Sequence, residues 1–146
     1  MKRFVMPMGI LAFALLFTAG LATAQDVKTY VERGMENSQA GRYDQALKDF
    51  NDALKLKPND ALLITYRGVV YYAKGQNDLA MKDFNRAIEI DPKGGKAYYQ
   101  RGMIYANQEK YAQAVPELKK AKSLGYGVDP VFIESLEQKA TQPPKK

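Results

Sequence analysis

An Arg-Gly pair recurs three times in this chain, at Arg33-Gly34, Arg67-Gly68 and Arg101-Gly102, each 34 residues after the last. Other positions keep the same step: Ala46, Ala80 and Ala114; Ala53, Ala87 and Ala121; Phe50, Phe84 and Leu118; Tyr30, Ile64 and Tyr98. A fixed period of a few tens of residues means stacked supersecondary units, each too small to bury its apolar face alone. The chain therefore has to fold as an array, and arrays of this kind act by binding.

Counted from Val27, the repeats span 27–60, 61–94 and 95–128, and each reads as two helices. The first helix of a repeat is apolar at helical spacing, as in Ile64, Gly68, Tyr71 and Tyr72. A turn follows at Gly41-Arg42, Gly75-Gln76 and Glu109-Lys110, then a second helix carrying Ala46, Phe50, Ala53 and Leu54 or their equivalents. Lys57-Pro58 and Asp91-Pro92 close the first two repeats, because proline disfavours a helical residue before it and cannot donate to the helix. Gly34, Gly68 and Gly102 remove bulk where the two helices cross, which would let Ala46, Ala80 and Ala114 approach closely.

Tyr or Ile at repeat position 4, Gly at 8, Ala at 20, Phe at 24, Ala at 27 and Pro at 32 resemble the tetratricopeptide repeat. Tyr66 through Pro92 is close to that family's consensus, and the resemblance covers 27–128. It implies an all-α fold, an α-solenoid of three helix-turn-helix repeats. Packing positions define the family, so the resemblance implies a binding role without naming the partner.

The departures from the pattern are informative. Repeat one carries Glu36, Asn37 and Ser38 where repeat two has Val70, Tyr71 and Tyr72, a polarity expected where no repeat packs upstream. Pro116 lies inside the second helix of repeat three. With that helix starting near Ala112, the proline falls in its first turns, where few hydrogen bonds are lost. Repeat three ends at Gly125-Tyr126-Gly127. Asp129 and Pro130 then open a capping helix over 129–140, with Phe132, Ile133 and Leu136 on its apolar face, and 141–146 reads as a disordered tail. The whole domain spans 25–140.

The first 24 residues read as a signal peptide. Lys2 and Arg3 precede an uncharged apolar run from Phe4 to Leu21, and Ala22-Thr23-Ala24 supplies small residues for cleavage before Gln25. The product would be exported, to the periplasm or beyond. An uncleaved inner-membrane anchor is the alternative, since the run is nearly long enough to span a bilayer. No Asn from residue 25 onward opens an Asn-x-Ser/Thr sequon, which agrees with a bacterial periplasm.

Composition removes several function classes. The chain has no Cys and no His, which excludes disulfides, thiolate metal sites and the usual nucleophile–base pairs. Lys93-Gly94-Gly95-Lys96 is an inter-repeat turn, not a phosphate-binding loop. The expectation is no enzyme, no metal and no cofactor. Removing Lys2 and Arg3 from 22 basic residues leaves 20 against 16 acidic ones, a net charge of +4, interspersed rather than gathered into the stripe that nucleic acid requires. An acid stands 16 residues after each repeat arginine, at Asp49, Asp83 and Glu117, so Arg33, Arg67 and Arg101 are expected to pair across their own helix hairpins.

The resemblance further implies a concave face lined by the first helices. In this chain that face holds Val31 and Met35, then Leu62, Thr65, Tyr66, Val69 and Tyr72, then Lys96, Tyr99, Gln100, Met103 and Asn107. Some family members grip the terminal carboxylates of heat-shock chaperones. Of the corresponding places Val31, Met35, Tyr66, Lys96 and Gln100, only Lys96 keeps the required residue, so that clamp does not carry over. The expected function is a scaffold of the bacterial cell envelope that takes a protein or peptide partner in this groove. A self-assembling structural protein or homo-oligomer, and a membrane-anchored assembly factor, are the alternatives.

Overall fold

The computed structural model describes the backbone of residues 8–141 and the side chains of 24–141. Among these residues there are seven helices and no strand: α1 (Met8–Gln39), α2 (Tyr43–Leu56), α3 (Ala61–Ala73), α4 (Asn77–Ile90), α5 (Gly95–Asn107), α6 (Tyr111–Ser123) and α7 (Pro130–Thr141). Each helix packs on the next, and α3 also touches α5, so α1, α3 and α5 form one layer and α2, α4 and α6 the other. This is the all-α solenoid expected from the period.

The core is a ladder of equivalent positions. Phe50, Phe84 and Leu118 are fully buried, together with Ala46, Ala80 and Ala114 and with Ala53, Ala87 and Ala121. Each large side chain of that set contributes on the order of 1.5–3 kcal/mol by leaving water. The glycines serve these residues rather than the alanines that the sequence suggested. A Cβ on Gly34 would lie 3.1 Å from the Phe50 ring, one on Gly68 2.7 Å from Phe84, and one on Gly102 2.9 Å from Leu118. Glycine is required because the facing side chain is large.

The turns between first and second helices share one device. The N–H groups of Arg42, Gln76 and Lys110 reach back to the carbonyls of Asn37, Tyr71 and Tyr105, and those of Gly41, Gly75 and Glu109 to Ser38, Tyr72 and Ala106. That closure needs a left-handed residue, which glycine supplies at Gly41 (φ 73°) and Gly75 (φ 78°). In repeat three Glu109 takes the same conformation at φ 59°, against its intrinsic preference. At the other end of the hairpins Asp60 caps α3, accepting from the N–H groups of Leu62 and Leu63 at 3.0 and 3.1 Å. Asp129 caps α7 in the same way through Val131 N–H at 2.9 Å.

Several expectations need adjustment. Helix α6 begins at Tyr111, so Pro116 is its sixth residue, past the first turn, and removes one bond to the Ala112 carbonyl without breaking the helix. Asn37 is not merely a polar residue on a free face. It is buried, donating to Asp49 Oδ2 at 2.8 Å and accepting from Arg42 Nε at 2.8 Å. Glu36 is exposed, as a solvated first repeat requires. The capping helix extends to Thr141, and the remainder of the proposed tail, 142–146, lies outside the described residues, as do residues 1–7 of the signal segment. The backbone runs helically through Ala24 and Gln25 without a break.

Candidate functional site

The repeat arginines are committed to the scaffold. Arg67 donates from Nε and Nη2 to the two oxygens of buried Asp83 at 2.8 and 2.7 Å, and Arg101 does the same to Glu117 at 3.0 and 2.7 Å. Arg33 bonds Asp49 through Nε at 2.8 Å and through Nη2. The hydrogen bonding of Arg67 to Asp83 raises the proton affinity of the guanidinium against the opposing effect of burial. A second half of the ladder went unread in the sequence. Nη1 of Arg67 donates to Asn51 and Nη1 of Arg101 to Asn85, at 2.8 and 2.7 Å, each asparagine belonging to the preceding repeat. The signal was available, since Asn51 and Asn85 are 34 residues apart. The third equivalent is Lys119, which pairs with Glu137 of the capping helix at 2.5 Å. The forks of Arg67 and Arg101 thus tie their own hairpins together and fasten them to the preceding repeat, while Arg33 ties only its own.

With these arginines occupied, the free chemistry lies on the first-helix layer. Leu62 and Met35 are the exposed apolar members of the expected groove set, at 51% and 39% exposure, and Asn107 is exposed too. Val31, Tyr66, Val69, Tyr72, Lys96, Tyr99, Gln100 and Met103 are half-buried. Thr65 does not belong with them. It is buried, and its hydroxyl donates to the Ala61 carbonyl of its own helix at 2.7 Å, leaving nothing for a partner. Tyr72 is held in place by Asn107, whose side-chain amide donates to its hydroxyl. Val69 and Tyr72 pack on the Ala80–Phe84–Ile104 core, and Tyr99 and Met103 on the cluster formed with the capping helix.

The junction of α3 and α5 carries one cation–ring contact and two aromatic pairs close by in sequence. The ring of Tyr66 stacks on Phe50 with centroids 5.9 Å apart, and its other neighbour is the Lys96 ammonium, 4.2 Å from the ring centroid. Tyr99 lies 4.9 Å from Tyr126, centroid to centroid. Burial pushes the Tyr126 phenol up, and the nearness of Tyr99 and Tyr66 pushes it further. Burial lowers Lys96 from the ordinary lysine range. Tyr126 was not anticipated as a groove residue. It stands where the other repeats have Pro58 and Pro92, and the left-handed Gly125 (φ 81°) directs the chain so that Tyr126 packs over Gly95. Among the described residues no group of three acids is placed to hold a metal ion.

Residues 38–75 and 68–109 match a family model described as TPR repeat, and residues 95–124 match one described as tetratricopeptide repeat. No curated protein matches the chain. Among solved structures it is similar to the first TPR of Spaghetti (RPAP3) bound to an HSP90 peptide, at 22% identity over 78% of this chain and 92% of that one, TM-score 0.70. The TPR2B domain of yeast Sti1 in complex with pHsp70 gives 24% identity, 80% and 97% coverage and a TM-score of 0.69. The Yersinia enterocolitica type III secretion chaperone SycD with a peptide of the translocator YopD gives 22%, 77% and 88%, and 0.63. At these identities the likeness is one of fold.

Proposed function

The chain belongs to the tetratricopeptide repeat family, and from that premise we propose that it is a binding scaffold of the bacterial cell envelope, taking an extended or helical peptide segment of a partner protein along its first-helix groove. The observation that carries this reading is the use the first helices make of their side chains. Their arginines are spent on pairs with the second helices, whereas Met35, Leu62, Tyr66, Tyr99 and Met103 of the same helices stay in reach of solvent. Aromatic and Met side chains offer large, adaptable contact area. The fold neighbours were solved with an HSP90 peptide, with pHsp70 and with a YopD peptide, which supports a peptide in this one. The scaffold has no catalytic role in this proposal.

Capture of partners from envelope extract tests it. Met35→Ser with Leu62→Ser changes two exposed positions, so helical content should persist while retention falls at least about tenfold. Tyr99→Ser with Met103→Ser should have the same effect on capture at some cost in stability, because both side chains also pack on the capping-helix cluster. Wild-type retention by both double variants would refute the groove and turn attention to the second-helix layer.

Export rests on Lys2-Arg3, the apolar run and Ala22-Thr23-Ala24. Protein made in an exporting host should have the intact mass of a chain beginning at Gln25. The alternative, retention as an anchor, rests on the length of the apolar run; a full-length species in the membrane fraction would establish it in place of cleavage. End-to-end self-assembly draws less support. Glu32 and Glu36 stand upstream where the next repeat has Tyr66 and Val70, and on the outward side of α7 Val131 is the one large apolar residue beside the exposed Glu134 and Gln138.

A further inference from the structure

We propose that the exported chain closes its own N-terminus: Gln25, set free by cleavage after Ala24, cyclises to a pyroglutamyl lactam that blocks and neutralises the start of α1. The inference rests on the cleavage reading above and adds the covalent state of the end that cleavage leaves. Its basis is where that end falls. Under that reading Gln25 becomes the first residue, and its side chain is exposed. Its carbonyl accepts from the Thr29 hydroxyl at 3.0 Å, which holds the first turn. Two residues on, Val27 is 8% exposed and packs in the core cluster with Ala53, Leu54, Leu63 and Ile64. The helix therefore has almost no spare length before its core begins.

In the uncleaved chain the Gln25 nitrogen is an amide and cannot attack. Cleavage turns it into an α-amine, a group that ordinarily titrates not far above neutrality, so a reactive neutral fraction is present. The amine lies a five-membered ring away from the carboxamide of the same side chain, and such proximity makes the reaction effectively unimolecular. The neutral amine attacks Cδ and a new N–Cδ amide bond forms. The Cδ–Nε2 bond breaks, and the proton shed by the amine leaves with Nε2 as ammonia. No oxidant, reductant or co-reactant is needed. Neither Ala24 nor Asp26 could close such a ring, so the chemistry depends on cleavage at this one bond. The product has lost a positive charge at the positive end of the α1 dipole, where a cation is unfavourable. It has also lost the free amine that an aminopeptidase must grip, so trimming towards Val27 is blocked at its first step.

The test uses the full chain, signal segment included, made in an exporting bacterial host and recovered from the envelope fraction. Intact mass and fragmentation of the N-terminal peptide should show a chain that begins at residue 25 and is lighter by one ammonia. Stepwise N-terminal degradation should find it blocked, and pyroglutamyl peptidase should remove the block and expose Asp26. Gln25→Ala should be cleaved at the same bond, keep a free amine and show no ammonia loss. It should also be shortened by an aminopeptidase that leaves the wild-type chain intact. A wild-type chain that begins at Gln25 and keeps its amine through incubation at neutral pH overturns the inference and leaves the cleavage standing. An ammonia loss that persists in Gln25→Ala overturns it as well, because the lost nitrogen then comes from elsewhere. Equal trimming of the two chains overturns the blocked end. A chain that begins at another residue, or a full-length species in the membrane fraction, overturns the inference together with the cleavage before Gln25.

Discussion

Replacing Arg67 by Leu should be among the most damaging single changes outside the apolar core. Both oxygens of Asp83 accept from Arg67, and the carboxylate has no other partner among the described residues. The Asp83 side chain is 7% exposed and that of Arg67 20%, so removal of the guanidinium strands a charge that little water can reach. Breaking a fully buried pair from one side costs about 3–5 kcal/mol; access at the arginine edge brings the expected loss to about 2–4 kcal/mol. In a domain of this size that corresponds to a fall in Tm on the order of 10 °C. The same substitution at Arg33 should cost clearly less, because Asp49 keeps the Asn37 amide and Arg33 is half-exposed already. Urea denaturation of the single variants and of Arg67→Leu with Asp83→Leu gives the coupling. The double variant should recover at least about 1 kcal/mol relative to additivity. Equal losses at Arg33 and Arg67, or strictly additive losses in the cycle, would refute the assignment of Asp83 as a carboxylate sustained by one arginine.

Three further outcomes are open to the same measurements. Glu109→Gly should stabilise the chain by about 1 kcal/mol, because it relieves a left-handed residue at the place where Gly41 and Gly75 already stand; an unchanged or lower stability would show that Glu109 has a compensating contact. Gly68→Ala should cost about 1–3 kcal/mol by pressing on the fully buried Phe84 ring, and more than Gly34→Ala, where the clearance to Phe50 is larger. Lys96 has a lowered folded pKa, so its charge opposes folding at neutral pH and the penalty fades as pH rises from that lowered value towards the ordinary one near 10.5. Wild-type stability should therefore gain on that of Lys96→Met as pH 10 is approached, measured below the range in which Tyr126, shifted the other way, loses its proton.

The fold was legible because the 34-residue step repeats the residues that make contact. Phe50, Phe84 and Leu118 recur because glycine recurs opposite them, and the 16-residue step from arginine to acid survives as hydrogen bonds. The inter-repeat asparagines were equally periodic, but their partners lie in the following unit, so a search within each repeat passes over them. The groove was legible only as a set of positions. Position numbers say which way a helix residue starts out, not where a short or turn-borne side chain finishes. Thr65 folds back onto the Ala61 carbonyl, and Tyr126 enters the groove because Gly125 turns the chain there.

Local pairing also bears on why a chain with net positive charge need not be a polyanion binder. Among the described residues eight cations are answered by an acid: in the same hairpin, on the same helix, as Lys55 with Asp52 at 2.7 Å, or on an adjoining helix, as Lys119 with Glu137. Such pairs at exposed positions contribute little to stability, but they cancel the field that would draw a phosphate backbone. Recognition then falls to the apolar surface of Leu62, Met35 and Tyr99, which would supply contact area for many segments, so Leu62→Ser should lower all peptide binding while leaving helical content unchanged. Peptides that bind Leu62→Ser as tightly as the wild-type chain would show that the contact area lies elsewhere.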